Sequence, residues 1–431
     1  MRMTIYRGTK EIGGTLIEVK TDSTRILIDA GYPLFLGGKP IEDKIARLPY
    51  QELLELGVLP PIEGLYSWDD AAFDAVLVSH SHIDHYGLLK YVNPQIPIWM
   101  SAGTKSMIEI SQRFKIYDDF QMTAQTFVMY SAFSIGDIQV TPYLMDHSAF
   151  DAAAFQLTAE GKTIIYTGDF RGHGRKTVCL PSFIKQAAKQ ADALLIEGST
   201  LGRQNETIMT EDALEQVLVN QCADFQGPVL FQCSSQNIDR LVSFYRAAKQ
   251  LKRTFVVDVY TANVLNDLKQ LGNNLPYPSD QYRDIKVFYP YQLTQKIFKR
   301  IGGEYAQRFS AQYISREDIA KDQNHLVMLV RPSMIRDLAR CGLHDGMFFY
   351  SLWSGYRDAE YQQKFEESLQ QSRFNLHSLH TSGHATVDDI QRMIRELDPK
   401  QVIPIHTMFP ETFKDYSDRT VLKEDKVEFE M

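Results

Sequence analysis

The chain has 431 residues, more than one ordinary hydrophobic core serves, so its length calls for two or three domains or for one domain with a large insertion. With 44% hydrophobic and 23% charged residues, 25 Gly and 17 Pro, the composition is that of a globular protein and excludes disordered and fibrous classes. A net charge of −8 argues against holding nucleic acid by a broad basic face, though not against a nuclease whose metal ions reverse the sign locally. No apolar run has the length of a signal peptide or a bilayer span, so a cytoplasmic protein with no membrane partner is expected. Cys179, Cys222, Cys233 and Cys341 show no CxxC spacing and read as reduced core thiols.

In chain order, the pattern to about Gly198 is dominated by short β-type runs at residues 15–20, 25–30, 75–79, 96–100, 138–144, 153–157 and 162–167, with sparse helical periodicity. Strands and helices then alternate. A run at 228–233 precedes a helix with Ile238, Leu241, Val242 and Tyr245 on one face, and a run at 254–259 precedes a helix from 262 to 272. Further on come a run at 325–330, a helix at 333–339, a run at 347–351 and a helix at 358–370. Repeated βα units of this kind imply a parallel sheet with helices on both faces. The Tyr- and Lys-rich stretch 273–322 has weak periodicity and is left unassigned. Near the C-terminus, Thr386 with Asp389 has the form of a capping box, Ile390, Met393, Ile394 and Leu397 make one helix face, and 402–405 reads as a strand despite Pro404.

The 75–79 run delivers the chain to His80-Ser81-His82-Ile83-Asp84-His85, so four coordinating side chains fall within six residues. Imidazole nitrogen and carboxylate oxygen suit zinc, and a tight turn at a strand end can aim alternate residues at two adjacent ions. Asp84 stands as both ligand and catalytic residue.

Strand-HxHxDH-Gly resembles the metallo-β-lactamase superfamily, and the rest of that family's pattern occurs in order. Gly8 to Gly14 and the 26–31 run look like its opening strands, with Asp29 orienting the ligand loop from behind. The resemblance implies His80, His82 and His147 on one zinc, Asp84, His85 and the late His406 on a second, and Asp169 shared, hence two Zn2+ per chain. Within the superfamily the chain is similar to the β-CASP nucleases of the ribonuclease J type. Glu197, closing a strand, and the segment His380-Thr381-Ser382-Gly383-His384-Ala385 carry that likeness, with Glu197 and His384 as catalytic candidates. The implied fold is an α/β protein: a metallo-β-lactamase αββα sandwich from residues 1–200 and 374–431, with a parallel-sheet β-CASP domain inserted at 201–373.

The chemistry follows from the residues as well. Phosphodiester hydrolysis needs an activated water, neutralised phosphoryl charge and a proton for the departing 3′ oxygen, and His384 titrates in the range to give one. The plainer readings are that His384 caps the turn after Gly383 and that Glu197 only pairs with its neighbours. Ser234 and Ser235, at a strand-to-helix junction, and His380 and Ser382 are candidates for substrate phosphate.

The leading expectation is a zinc-dependent ribonuclease acting on single-stranded RNA. Alternatives are a hydrolase of a small ester, thioester or lactone and a non-catalytic RNA-processing subunit. A flavin-associated di-iron reductase is disfavoured because His82 stands where those proteins carry a carboxylate. Where ribonuclease J has a glycine-bearing 5′-phosphate segment, this chain reads Val330-Arg331-Pro332-Ser333-Met334-Ile335, and it runs 25 residues past His406 (431 − 406). Weak 5′-end discrimination and an assembly no larger than a homodimer are therefore expected.

Overall fold

The computed structural model describes residues 1–42, 44–114, 120–202, 208–272 and 274–431, so 203–207 and 273 of the expected insertion lie outside the described residues. Among them two sheets stack face to face. The first has seven strands in the order Glu428–Glu430, Arg2–Arg7, Leu16–Lys20, Arg25–Ile28, Ala75–Leu77, Ile98–Met100, Ala124–Thr126. The second has six, Val402–Ile405, Ala193–Glu197, Lys162–Tyr166, Ala153–Ala159, Ile138–Leu144, Phe133–Ile135. Ile5, Ile17 and Leu77 of the first sheet pack against Val140, Phe155, Leu195 and Ile403 of the second in one shared core. Leu53 and Ile108 cover the outer face of the first sheet, and the helices Cys179–Gln186 and Val387–Leu397 cover that of the second. This is the αββα sandwich.

A third sheet holds the six strands Ile285–Phe288, Thr254–Asp258, Leu326–Leu329, Val229–Gln232, Met347–Tyr350 and Asn375–Ser378 in that order, all parallel. Helices cover both faces, one core containing Phe244 and Leu265, the other Leu338 and Phe365. With both faces covered its central strands are mostly apolar, as in Leu326-Val327-Met328-Leu329, whereas the edge strand Asn375–Ser378 is polar and largely exposed. The four cysteines are buried and unbonded, and no helix among the described residues is long and apolar enough to cross a membrane.

Differences from the sequence pattern have local causes. The helix Ala102–Arg113 escapes periodicity because its buried side includes Gly103, Thr104 and Ser111 beside Met107 and Ile108. The helix expected from 262 begins at Val259, directly at a strand end, because the Asp258 carboxylate accepts from the Thr261 amide at 2.7 Å and caps it. Pro404 sits on an edge strand: it pairs with Ile196 on one side, and on the other only the bridge Val402–Thr420 is formed. The unassigned 273–322 stretch supplies the edge strand Ile285–Phe288 and short helices, of which Tyr291–Ile301 turns a narrow apolar face of Leu293, Ile297 and Ile301 to the core and fully buries only Ile297.

Two fully buried arginines join the third sheet to the sandwich. Arg171 donates to Asp146 at 3.1 Å, to Asp239 of the helix Ile238–Gln250 at 2.7 Å and to the Ser382 carbonyl at 3.1 Å. Arg240 donates to Glu211 at 3.1 Å, to the Ser351 carbonyl at 3.1 Å and to the Thr381 carbonyl at 3.2 Å. Burial pushes the Glu211 carboxyl up, but Arg240 and Arg171 outweigh it and hold the group at about 2. Removing one partner of such a pair strands a buried charge, so Arg240→Leu should cost about 3–5 kcal/mol in denaturant titrations at neutral pH. A carboxyl held low stabilises the fold above its ordinary 4.5 and loses that contribution as pH falls toward about 2. The acid limb of wild-type unfolding should therefore be steeper than that of Arg240→Leu. A variant within about 1 kcal/mol of wild type would mean the joint lies elsewhere.

Candidate metal centre

The strands Arg25–Ile28, Ala75–Leu77, Ile138–Leu144, Lys162–Tyr166, Ala193–Glu197 and Val402–Ile405 send their C-termini to one end of the sandwich, because the pairs 25–28 with 75–77, 162–166 with 193–197 and 193–197 with 402–405 are parallel. Residues 29, 80–85, 147, 169, 197 and 406 follow or close these strands and meet there. The turn carrying Asp84 and His85 is held by backbone bonds from Thr15, Ala30 and Tyr32 to the carbonyls of Asp84, His85 and Ile83. A Cβ on Gly31 would lie 1.8 Å from the Asp84 carbonyl oxygen, so glycine is required for this approach.

Hydrogen bonds fix which ring nitrogen each histidine presents. A carboxylate or carbonyl oxygen only accepts, so a nitrogen facing one carries the proton. His85 donates from Nδ1 to Asp29 at 2.7 Å, and His147 donates from Nδ1 to the Gly383 carbonyl. The Ser79 hydroxyl gives its proton to Asp29 at 2.8 Å and so accepts from His80 Nδ1 at 3.0 Å. Ser199 likewise donates to the His406 carbonyl at 3.2 Å and accepts from His406 Nδ1 at 2.8 Å. All four rings are left with Nε2 turned inward.

These nitrogens meet oxygens that cannot donate either. His85 Nε2 lies 3.3 Å and His80 Nε2 3.7 Å from Asp169 Oδ2, and His406 Nε2 lies 3.2 Å from Asp84 Oδ2. His82 Nδ1 is 3.0 Å from His147 Nε2. Nε2 of His80 and His85 and both Asp169 oxygens are buried without a hydrogen-bond partner. Three overlapping groups result: His80, His82, His147 with Asp169; Asp84, His85 with His406; and Asp169, His406 with Glu197 and His384. Nitrogen and oxygen acceptors gathered this closely fit a divalent cation.

The electrostatics agree. Burial, reinforced by neighbouring imidazoles, pushes His80 and His147 well below the usual histidine range, and burial takes His82 down to about 4. These rings are therefore neutral, as ligands must be. For His85 burial is outweighed by Asp169, Asp29 and Asp84, which hold the ring well above its usual range. Burial would raise Asp84, but His85 and His406 keep it at about 2. Carboxylate charge exceeds what the histidines neutralise, and positive charge is drawn in.

Glu197 is buried beside this cluster. Its carboxylate accepts from the amides of Phe170 at 2.9 Å and Ser199 at 3.2 Å and from His384 Nδ1 at 3.2 Å, so His384 turns Nε2 outward from the acid. Ser382 is tied in through its carbonyl, which accepts from Arg171 and His173, and its hydroxyl accepts from the His384 amide. His380 lies against Arg240, and burial together with that guanidinium takes it to about 3, leaving no charge to offer a phosphate. Ser235 is buried against Thr261 and Arg331, whose guanidinium also pairs with Asp258, whereas Ser234 is exposed. Neither serine shares a hydrogen bond with the histidine cluster among the described residues.

Several groups escaped sequence reasoning. Ser79 and Arg171 flank ligand motifs and were open to an argument from adjacency. Ser199, Tyr166, which donates to Asp29, and Arg240 were not, because their partners lie far away in the chain.

Comparison with known proteins places this geometry. Residues 24–221 match the family model described as the beta-lactamase superfamily domain, and residues 372–419 match the Zn-dependent metallo-hydrolase RNA specificity domain. Similar proteins include Ribonuclease J of Helicobacter pylori (strain ATCC 700392 / 26695), 22% identical over 94% of this chain and 56% of that protein. Ribonuclease J of Mycoplasma genitalium (strain ATCC 33530 / DSM 19775 / NCTC 10195 / G37) is 22% identical over 98% of this chain and 71% of that protein. The chain thus spans little more than half of its Helicobacter relative. A crystal structure of a protein of unknown function from Enterococcus faecalis V583 superposes with a TM-score of 0.77 over 99% of both chains at 22% identity. Together the two domain matches and the relatives over most of the chain support a place in the metallo-β-lactamase superfamily, in its β-CASP branch.

Asp29 is the hub behind the cluster. Its left-handed backbone, φ 57°, is one that Asn also tolerates. Asp29→Asn should keep the fold but lower zinc affinity about 10–100-fold, read by competition with a chromophoric chelator. Unchanged affinity would remove Asp29 from the support of His85.

Proposed function

We propose that the protein is a two-zinc ribonuclease that hydrolyses phosphodiester bonds of single-stranded RNA. The observation carrying this reading is the convergence of the inward Nε2 atoms of His80, His85, His147 and His406 on the Asp84 and Asp169 carboxylates, those of His80 and His85 without a hydrogen-bond partner, with the His384–Glu197 pair beside them. The name of the relatives, Ribonuclease J, supports RNA as the substrate. His80, His82 and His147 would hold one ion, Asp84, His85 and His406 the other, with Asp169 between the two. Zinc bound there would supply Lewis acidity, neutralising phosphoryl charge and making water nucleophilic at neutral pH.

The remaining steps belong to the chain. Glu197, saturated by backbone amides, is a positioning residue: it fixes the His384 ring and stabilises its doubly protonated form, so that the Nε2 proton can pass to the departing 3′ oxygen. The Gly383 carbonyl holds His147 while its neighbour His384 faces the substrate side, so one tight turn serves both ligand and acid.

The deciding experiment incubates zinc-loaded protein with 5′-labelled and 3′-labelled RNA and reads the products, alongside elemental analysis of the chain. Cleavage and about two zinc per chain are expected, and Asp84→Ala or EDTA should leave under about a tenth of the rate. A chain that binds less than one zinc, or variants above that level, would sink the two-metal reading.

His384→Ala should keep the metal yet slow RNA cleavage about 10²-fold or more, with a much smaller loss on a nitrophenyl phosphodiester, whose leaving group needs no proton. Equal losses on both substrates would make His384 structural.

At the 5′ end, Arg331 and Ser235 are already engaged with Asp258 and with each other, which supports weak recognition of a terminal phosphate. Rates on 5′-monophosphate and 5′-hydroxyl RNA should differ by less than about tenfold, or 1.4 kcal/mol. A larger ratio would require a pocket elsewhere.

A further inference from the structure

The Tyr- and Lys-rich stretch that sequence periodicity left unassigned forms one wall of a cavity of about 200 Å³. On that wall is the helix Tyr291–Ile301, which carries Lys296, Lys299 and Arg300 and no acid in a chain whose net charge is −8. The opposite wall is Arg113 and Phe114, at the end of a sandwich helix, and Tyr260 and Arg331 lie at the strand ends of the third sheet. The cavity therefore straddles the two units.

Its charges fall into two kinds. Arg113 is paired with Asp267 at 2.6 Å and Arg331 with Asp258, so both are neutralised internally. No carboxylate pairs with Lys296 or Arg300 among the described residues. These two stand four apart on one helix, one turn from each other and exposed at the rim, while Ile297 between them is buried and faces the apolar interior. The rings that face the cavity beside these cations are Phe114 and Tyr260.

We infer that this cavity binds one nucleotide of the RNA strand, the base against the Tyr260–Phe114–Ile297 wall and the flanking phosphates on Lys296 and Arg300. The inference rests on the ribonuclease reading and adds a place where the strand is gripped away from the metals. Rings that accept any base beside cations that accept any phosphate are the combination that holds single strands without sequence preference. The position also suits a strand leading to the metals. Tyr260 and Arg331 sit at the C-terminal ends of the strands Thr254–Asp258 and Leu326–Leu329, and His384 follows Asn375–Ser378 at the same edge of the same sheet. Three or four strand spacings separate them, on the order of 15–19 Å, a length that a few nucleotides span.

The test is anisotropy of a fluorescent, cleavage-resistant phosphorothioate oligouridylate titrated with zinc-loaded protein, wild type against Lys296→Gln/Arg300→Gln. Both side chains are exposed, so the melting temperature of the double variant should match wild type. The expected result is RNA affinity lower by about tenfold or more and a log–log salt dependence shallower by about 1.4, that is, two single-strand phosphate contacts at 0.7 each. Affinity and slope within experimental error of wild type would overturn the inference. So would inorganic polyphosphate or an oligoglutamate competing as well as RNA, since the cavity would then take anionic chains without regard to a base. Cleavage of RNA by the wild type is measured separately: a protein that neither binds nor cleaves RNA fails the ribonuclease reading itself, whereas one that cleaves while the double variant binds normally fails only the cavity.

Discussion

The inward Nε2 atoms of His80, His85, His147 and His406 crowd the Asp84 and Asp169 carboxylates in a buried space, and those of His80 and His85 and both Asp169 oxygens have no hydrogen-bond partner, an arrangement that is costly unless positive charge lies between them. Much of the local architecture serves to aim them. Asp29, Ser79, Ser199 and the Gly383 carbonyl each occupy an Nδ1, which removes the tautomer in which Nε2 would carry its own hydrogen and turn away. Asp29 does this from a left-handed backbone position, and His406, at φ 49°, shares that conformation at the end of its own strand. Strain placed directly behind the coordinating atoms persists only because the surrounding hydrogen bonds over-determine it.

The third sheet serves this centre indirectly. In an open parallel sheet, ligands settle at the C-terminal edge where successive connections leave on opposite faces. Here the helix after Val229–Gln232 packs on one face and that after Leu326–Leu329 on the other, so such a crevice exists. Arg331 with Asp258 and Ser235 fills it. One strand further along, Arg240 and Ser351 take up the equivalent space, and Arg240 reaches on to the Thr381 carbonyl. Internal guanidinium groups thus stand where a nucleotide cofactor would in other parallel sheets, and the edge becomes a clamp on residues 380–384. The position of His384 relative to Asp169 depends on both units at once.

The ligand loop was legible in the sequence because its residues are adjacent: a strand, a turn and four coordinating side chains in six positions leave little room for another origin. Asp169 and His406 were legible only by order along the chain, since a lone Asp or His after a strand carries no chemical signature. Pro404 looked costly and was not, because sequence does not show which strand is an edge. The helix Ala102–Arg113 was hidden because it buries small polar residues along with its apolar ones, and the 291–301 helix because its apolar stripe is only Leu293, Ile297 and Ile301 in a stretch rich in exposed Tyr and Lys. That Arg171 and Arg240 together form the joint between the units was out of reach altogether. Buried arginines are recognised by their partners, and those partners lie as far as 211 positions away.

Charge ties these strands of the argument together. Among the described residues the buried arginines Arg171 and Arg240 are spent on Asp146, Asp239 and Glu211, so neither is left to face a scissile phosphate. What the cleft offers instead is Asp84, Asp169 and Glu197, in a chain that is acidic overall. Without metal such a surface repels a phosphodiester. On the ribonuclease reading proposed above, the ions that fit the inward nitrogens would set the sign of the field the substrate meets, so that close approach of RNA to His384 is coupled to occupancy of the centre before any bond is broken.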